Sequence, residues 1–208
     1  MLVSVHVQLL HEALDGRVSP RAFEAILAGN LGQDNLRGQL GHDEYHFDNN
    51  AFEKSRAYIQ AQRLMILPAL QNGEVAAAWA AFGRLTHTLQ DFYAHSNYVA
   101  LWLSRHGDPL PPASGIDPVD LDLVASPELR SGRLYYPREA LYFLPRFRKL
   151  ALSILPRDSH AHMNLDSAAR GPRFEYAYQA ALKRTVQEFE YLRSSLPPEL
   201  FSMFAGGS

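Results

Sequence analysis

The stretch Gly83-Arg-Leu-Thr-His87-Thr-Leu-Gln-Asp91-Phe-Tyr-Ala-His95-Ser-Asn97 decides how this chain is read. His87, Asp91 and His95 fall at i, i+4 and i+8. On a helix that spacing keeps side chains on one face, with only about 40° of drift per step at ~3.6 residues per turn. Leu85, Leu89 and Phe92 lie around them and can pack the same segment into a core. An ordinary amphipathic helix can carry two histidines and an acid. An aspartate midway between the two, in an otherwise apolar run, points instead to a metal site.

Working outward, the spacing predicts a helix from Glu74 to Ser104, with Val75, Trp79, Phe82, Leu85, Leu89, Phe92 and Val99 in the core. At about 30 residues it is long for a globular protein, and a bend is expected near His95-Ser-Asn97. Upstream, Val3 to Leu14 reads as a helix, and Ser19-Pro20 is an N-cap followed by proline at the first helical position. Phe23, Ile26, Leu27 and Leu31 form its apolar face. Ala51 to Gln71 is a further helix, capped by Asn49 or Asn50 and running through Phe52, Ile59, Leu64, Leu67 and Leu70. Pro68 is expected to kink or fray its last turn. Downstream, Pro137 opens a helix to Leu155, and Phe174 to Leu196 forms the last one, stopped by Pro197-Pro198. No strand pattern and no repeat appears, so the chain is expected to be all-α, one domain of about six helices over residues 1–208.

Between these helices lie three polar stretches. Gly32 to Asn50 and Pro156 to Asp166 are dense in histidine and acid; Arg105 to Tyr136 is rich in proline, glycine and serine and is expected to be a mobile cover. Composition narrows the chemistry further. The 208 residues are 47% apolar with a net charge of -2, which gives no nucleic-acid or membrane signature. With no cysteine, nine histidines and 22 acids, any metal must be held by nitrogen and oxygen, which suits Zn, Mn or Fe. No apolar run approaches the ~20 residues of a transmembrane helix, and no signal peptide is visible. The expected location is cytoplasmic if the chain is full length, secreted if a leader was removed.

Three passages carry a resemblance: the central motif, Glu44-Tyr-His46-Phe-Asp48-Asn, and His162-Met-Asn164-Leu-Asp166, with His6 on an opening helix. Together they resemble the zinc-dependent phospholipase C and single-strand nuclease superfamily, closest to its HET-C-like branch, over about residues 3 to 192. The resemblance implies a phospholipase C-like fold with two or three zinc ions. His46, His87 and Asp91 would hold one, with Asp34 beside it as general base; His95, His162 and Asp166 a second; His6 with Asp91 the third, where Met1 would have to reach back to complete it. Leu165 stands where related sequences tend to carry Lys. The implied activity is a hydrolase: a phosphodiesterase in which metal-bridged hydroxide attacks phosphorus, acting on a phospholipid or another phosphodiester with transient membrane contact. The alternatives are a single-strand nuclease, with nucleic acid as substrate, or a non-catalytic HET-C-like interaction module.

From the residues themselves, His42 rivals His46 and His160 rivals His162 as ligands. Asp48 reads as a capping partner of Asn49 and Asn50, His11 as outward-facing and His106 as surface. Tyr45, Phe47, Phe92, Tyr93, Tyr98 and Trp102 are aromatics near the site, most of them expected in the core.

Overall fold

A computed structural model describes residues 1–39 and 41–206. The chain is all-α, and the described residues contain no strand, only isolated bridges at Ser96–Ser131 and Arg133–Ser159. It begins with α1 (Val3–Leu14) and α2 (Pro20–Leu31), then two short turns, α3 (Leu36–Gln39) and α4 (Asp43–His46). The long α5 (Phe52–Gln71) and α6 (Val75–His95) follow, and α7 (Tyr98–Ser104). α8 (Leu121–Val124), α9 (Arg148–Ile154) and α10 (His160–Met163) are short; α11 (Arg173–Ser195) and α12 (Pro198–Ala205) end the chain.

The centre of the molecule is α6. Every side chain from Leu85 to His95 is buried, polar ones included. Such burial requires packing on all sides, and α1, α2, α5 and α11 supply it with Leu9, Leu10, Ile26, Ile66, Leu70 and Phe189. The crossing of α2 and α6 is set by two glycines. A Cβ on Gly83 would lie 2.1 Å from the Ile26 carbonyl oxygen, and one on Gly29 would lie 2.7 Å from that of Ala80. Only glycine lets the two backbones approach this closely.

Ser19 caps α2 by accepting from the Ala22 N–H, with Pro20 at the first turn, as the sequence predicts. The expected 30-residue helix is instead split. Ser96 is extended (φ -103°, ψ 168°), its hydroxyl donates to the Phe92 carbonyl at 2.6 Å, and the helix resumes at Tyr98. Asn97, in the break, takes the Arg130 N–H and donates to the Glu128 carbonyl, pinning the 105–136 segment to the end of α6.

Other expectations are corrected. Asn49 and Asn50 do not cap α5; both adopt left-handed backbone (φ 54° and 57°), and their side-chain oxygens accept from Leu134 and Ser131 N–H at 2.7 Å. α5 runs unbroken through Pro68, since a proline in the last turn removes a single N–H. Leu64 and Leu67 lie on its outer side, 65% and 40% exposed. The helix expected over 137–155 is broken into two 3-10 turns (Arg138–Leu141, Pro145–Phe147) and α9. Pro197-Pro198 ends α11 but Pro198 also starts α12, whose Phe204 packs on Phe82 and whose carbonyl chain takes the Trp79 indole N–H.

Candidate metal centre

Asp91 sits at the middle of the buried cluster. Its Oδ2 is 2.9 Å from His46 Nδ1 and 3.1 Å from His87 Nε2. Its Oδ1 is 3.3 Å from His6 Nε2 and also meets the Met1 amine. Asp34, at the end of the turn after α2, lies 3.8 Å from His87 and 3.9 Å from His6. Three separate elements thus converge on one face of α6, which itself carries His87 and Asp91: α1 with His6, the turn with Asp34, and α4 with His46.

Hydrogen bonds at the back of two histidines fix which nitrogen faces the cluster. His6 Nδ1 is 2.7 Å from the Gln90 side-chain oxygen, and His95 Nδ1 is 2.9 Å from the His46 carbonyl. Gln90's amide nitrogen donates to Thr185, so its oxygen faces His6; both that oxygen and the His46 carbonyl only accept, so each Nδ1 carries the proton. His6 Nε2 then presents a lone pair inward, while His95 Nε2 lies 3.0 Å from Asp166 Oδ1. His6 Nε2 and Asp34 Oδ2 are buried with no hydrogen-bond partner, although they stand side by side. Lone pairs and carboxylate oxygens pointed at one another repel unless a cation lies between them.

A second group adjoins the first. His160, from α10, places Nδ1 2.9 Å from Asp48 Oδ1, and Asp48 lies 3.6 Å from His95. His95 Nε2 is 3.0 Å from Asp166 Oδ1, and His160 Nε2 is 3.9 Å from Asp166 Oδ2. This differs from the sequence reading at two positions. His162 is turned away, with Nε2 donating to the Leu152 carbonyl at 3.0 Å, and His160 takes its place. Asp48 is no helix cap; it is buried against His160. The rival His42 is partly exposed and pairs with Glu44, outside the cluster, while His11 and His106 are exposed.

The electrostatics follow from this packing. Burial opposes charge on Asp91, yet the Met1 amine first and His95 next hold its carboxyl well below the usual range. Burial and neighbouring His6 keep the His87 imidazole far below its ordinary value, and so neutral. Burial also works against protonated His160, but Asp48 outweighs it and pushes the pKa up to about 9. Asp48, Asp91 and Asp166 are held ionised and His87 uncharged, the states a metal needs, whereas His160 would have to release its proton to a metal.

The donor set passes a simple geometric test. His46 Nδ1, His87 Nε2 and Asp91 Oδ2 lie 2.9, 3.1 and 3.2 Å from one another. Ligands ~2.0–2.1 Å from a tetrahedral zinc have edges of roughly 3.3 Å. Two further triads, His6/Asp34/His87 and Asp48/His95/His160, also bring their ligand atoms within 4.8 Å of one another. A cleft of about 400 Å³ opens onto the second group, lined by Asp34, His46, Asp48, His95, His160 and Asp166. Its walls include Tyr136, Tyr142 and Phe143. Of the aromatics singled out in the sequence, Phe47, Phe92, Tyr93, Tyr98 and Trp102 are core, as expected of most of them.

Fold and site define an all-α domain built around a buried histidine–aspartate cluster. The chain belongs to the VWA7 N-terminal domain family, whose model matches residues 5–110. It is similar to von Willebrand factor A domain-containing protein 7 of Rattus norvegicus, 33% identical over 87 residues. That match covers 40% of this chain, which spans 10% of the relative's length. No solved structure matches.

This membership overturns the expected kinship with the zinc-dependent phospholipase C and nuclease superfamily and its HET-C-like branch. With it go the phosphodiester hydrolase, the single-strand nuclease and the HET-C-like module as readings of function. The physical reason is that His-x3-Asp-x3-His specifies where three side chains point on a helix. It does not specify what reaction, if any, they perform. The matched region holds His6, Asp34, His46, Asp48, His87, Asp91 and His95, while His160, His162 and Asp166 lie beyond it.

Proposed function

We propose that this domain binds two or three divalent cations, zinc foremost, on the α6 floor. His6, Asp34, His46, His87 and Asp91 would hold one part of the centre, and Asp48, His95, His160 and Asp166 the other. The observation that carries this reading is His6, whose protonated Nδ1 is held by Gln90 while its buried Nε2 faces Asp34 and Asp91 without a partner. Imidazole and carboxylate without thiolate suit zinc and also manganese or iron. Metal analysis of purified protein, with thermal melts before and after chelation, tests it. At least one tightly held equivalent and a lower Tm after stripping are expected, with His87→Ala holding less metal. A stripped protein whose Tm ignores added zinc would sink the proposal.

The cleft supports a second reading, a metal-dependent enzyme. A cation reached from the cleft would have coordination positions open to water, and would supply Lewis acidity and an activated water. Cobalt(II) substitution separates this from a closed structural site. Added azide changes the visible spectrum of an open site and leaves a closed one unaltered.

A further inference from the structure

Residues 136–157 make a lobe of their own. Tyr142, Ala151, Leu155 and Ala161 form a small core separate from the main one. That core is too small to cover what surrounds it. Phe143, Leu144, Phe147, Leu150 and Ile154 are each between 41% and 52% exposed. α9 turns Ala151 inward, and Leu150 and Ile154 on it, with Phe147 at its N-cap, are exposed at i+3, i+7 and i. Large apolar side chains gathered in one exposed place mark an interaction surface, whereas scattered ones need no explanation.

Charge identifies the partner. Arg138, Arg146, Arg148, Lys149 and Arg157 are exposed in this segment. Of its acids, Glu139 is buried and holds the Ala161 N–H, while Asp158 just beyond is engaged by the Tyr135 hydroxyl. The chain as a whole is -2, so this cationic strip runs against the overall balance. Apolar side chains flanked by Lys and Arg match a bilayer surface carrying anionic lipid: the first enter the acyl boundary, and the second stay at the headgroups. The membrane contact needs no spanning helix, and among the described residues no helix is long and apolar enough to cross a membrane.

We propose that the lobe of residues 136–157 docks this domain on an anionic lipid surface through Leu144, Phe147, Leu150 and Ile154, with Arg146, Lys149 and Arg157 at headgroup depth. The inference does not require the metal centre to be occupied, although Phe143 on the inner side of the same lobe walls its cleft.

Vesicle sedimentation of the full chain tests it, comparing phosphatidylcholine vesicles with and without phosphatidylserine. Binding is expected on the anionic vesicles, weakening with salt, and on the order of tenfold weaker on the neutral ones. Arg146→Glu with Lys149→Glu, and separately Leu150→Ser with Ile154→Ser, should each lower binding about tenfold with unchanged Tm, because all four side chains are exposed. No binding, equal binding to both vesicles, or binding indifferent to either variant overturns the proposal. So does a change from a self-associated to a monomeric form in the Leu150→Ser, Ile154→Ser variant without vesicle binding, which would assign the face to protein contact.

Discussion

His160 Nδ1 stands 2.9 Å from Asp48 Oδ1, both side chains being nearly inaccessible to solvent. The pair joins two polar stretches 112 residues apart in sequence and aims the other imidazole nitrogen toward Asp166. A carboxylate behind a histidine fixes its ring and raises its basicity as a ligand. His162, two residues on, spends Nε2 on the Leu152 carbonyl.

The first prediction separates these two histidines. His160→Ala should weaken zinc binding by at least 10–100-fold, the range for losing a supporting partner of a metal site. His162→Ala should leave zinc content within about twofold, since its ring points elsewhere. Zinc titration of the two stripped variants checks this. Equal losses would mean that α10 sits differently.

Asp91 offers the second. One of its oxygens serves His46 and His87 while the other faces His6. Asp91→Asn should therefore lose more metal equivalents than His46→Ala or His95→Ala, each of which contributes to a single group. Metal content of the three variants, purified side by side with zinc present, gives the ordering. Asp91→Asn retaining as much zinc as His95→Ala would refute the shared role.

The third concerns pH. In the metal-free fold Asp48 holds the His160 proton up to about 9, against 6.5 ordinarily. A raised folded pKa means that this pair's stabilisation is full below about 6.5 and is lost as pH rises through about 9. The Tm of stripped protein should fall over that window. Zinc at His160 would replace the proton, so the loaded protein should hold its Tm there, and zinc affinity should climb with pH until the proton is gone. Melts of both forms across the window provide the check; parallel curves would contradict it.

The legible part of the site was the part written in one helix. A four-residue period on α6 places His87, Asp91 and His95 together whatever surrounds them, and the structure gathers them with His6, Asp34, His46 and Asp166. That the His160 ring rather than the His162 ring faces Asp48 and Asp166 is not legible in the sequence, because it depends on distant contacts. Ser159 caps α10, and Gly132 passes so close that a Cβ there would lie 2.6 Å from His160 Cα. Nor could the sequence show that Asn49 and Asn50 would serve the 131–134 segment, since that requires knowing where the chain returns 81 residues later. α12 was missed because Pro198 reads equally as a stop and as a first helical residue. The all-α class is legible because hydrophobic period, unlike pairing, is a local property.

The last prediction tests how the α2–α6 crossing supports the site. Gly83→Ala in an ordinary helix would gain about 1 kcal/mol of propensity. Here the added Cβ would meet the Ile26 oxygen at 2.1 Å and the Asn30 nitrogen at 2.8 Å, both backbone atoms that cannot rotate away. Overpacking of this kind costs typically ~1–3 kcal/mol and should outweigh the propensity gain. Pushing α2 away also moves Asn30, which donates to the Gln90 oxygen that receives the His6 proton. Gly83→Ala should therefore lower both Tm and zinc affinity. Gly32→Ala is the control: φ there is -59° and the space is open, so it should change neither. Equal melts and zinc affinities for the two variants would show that the close crossing does not govern the site.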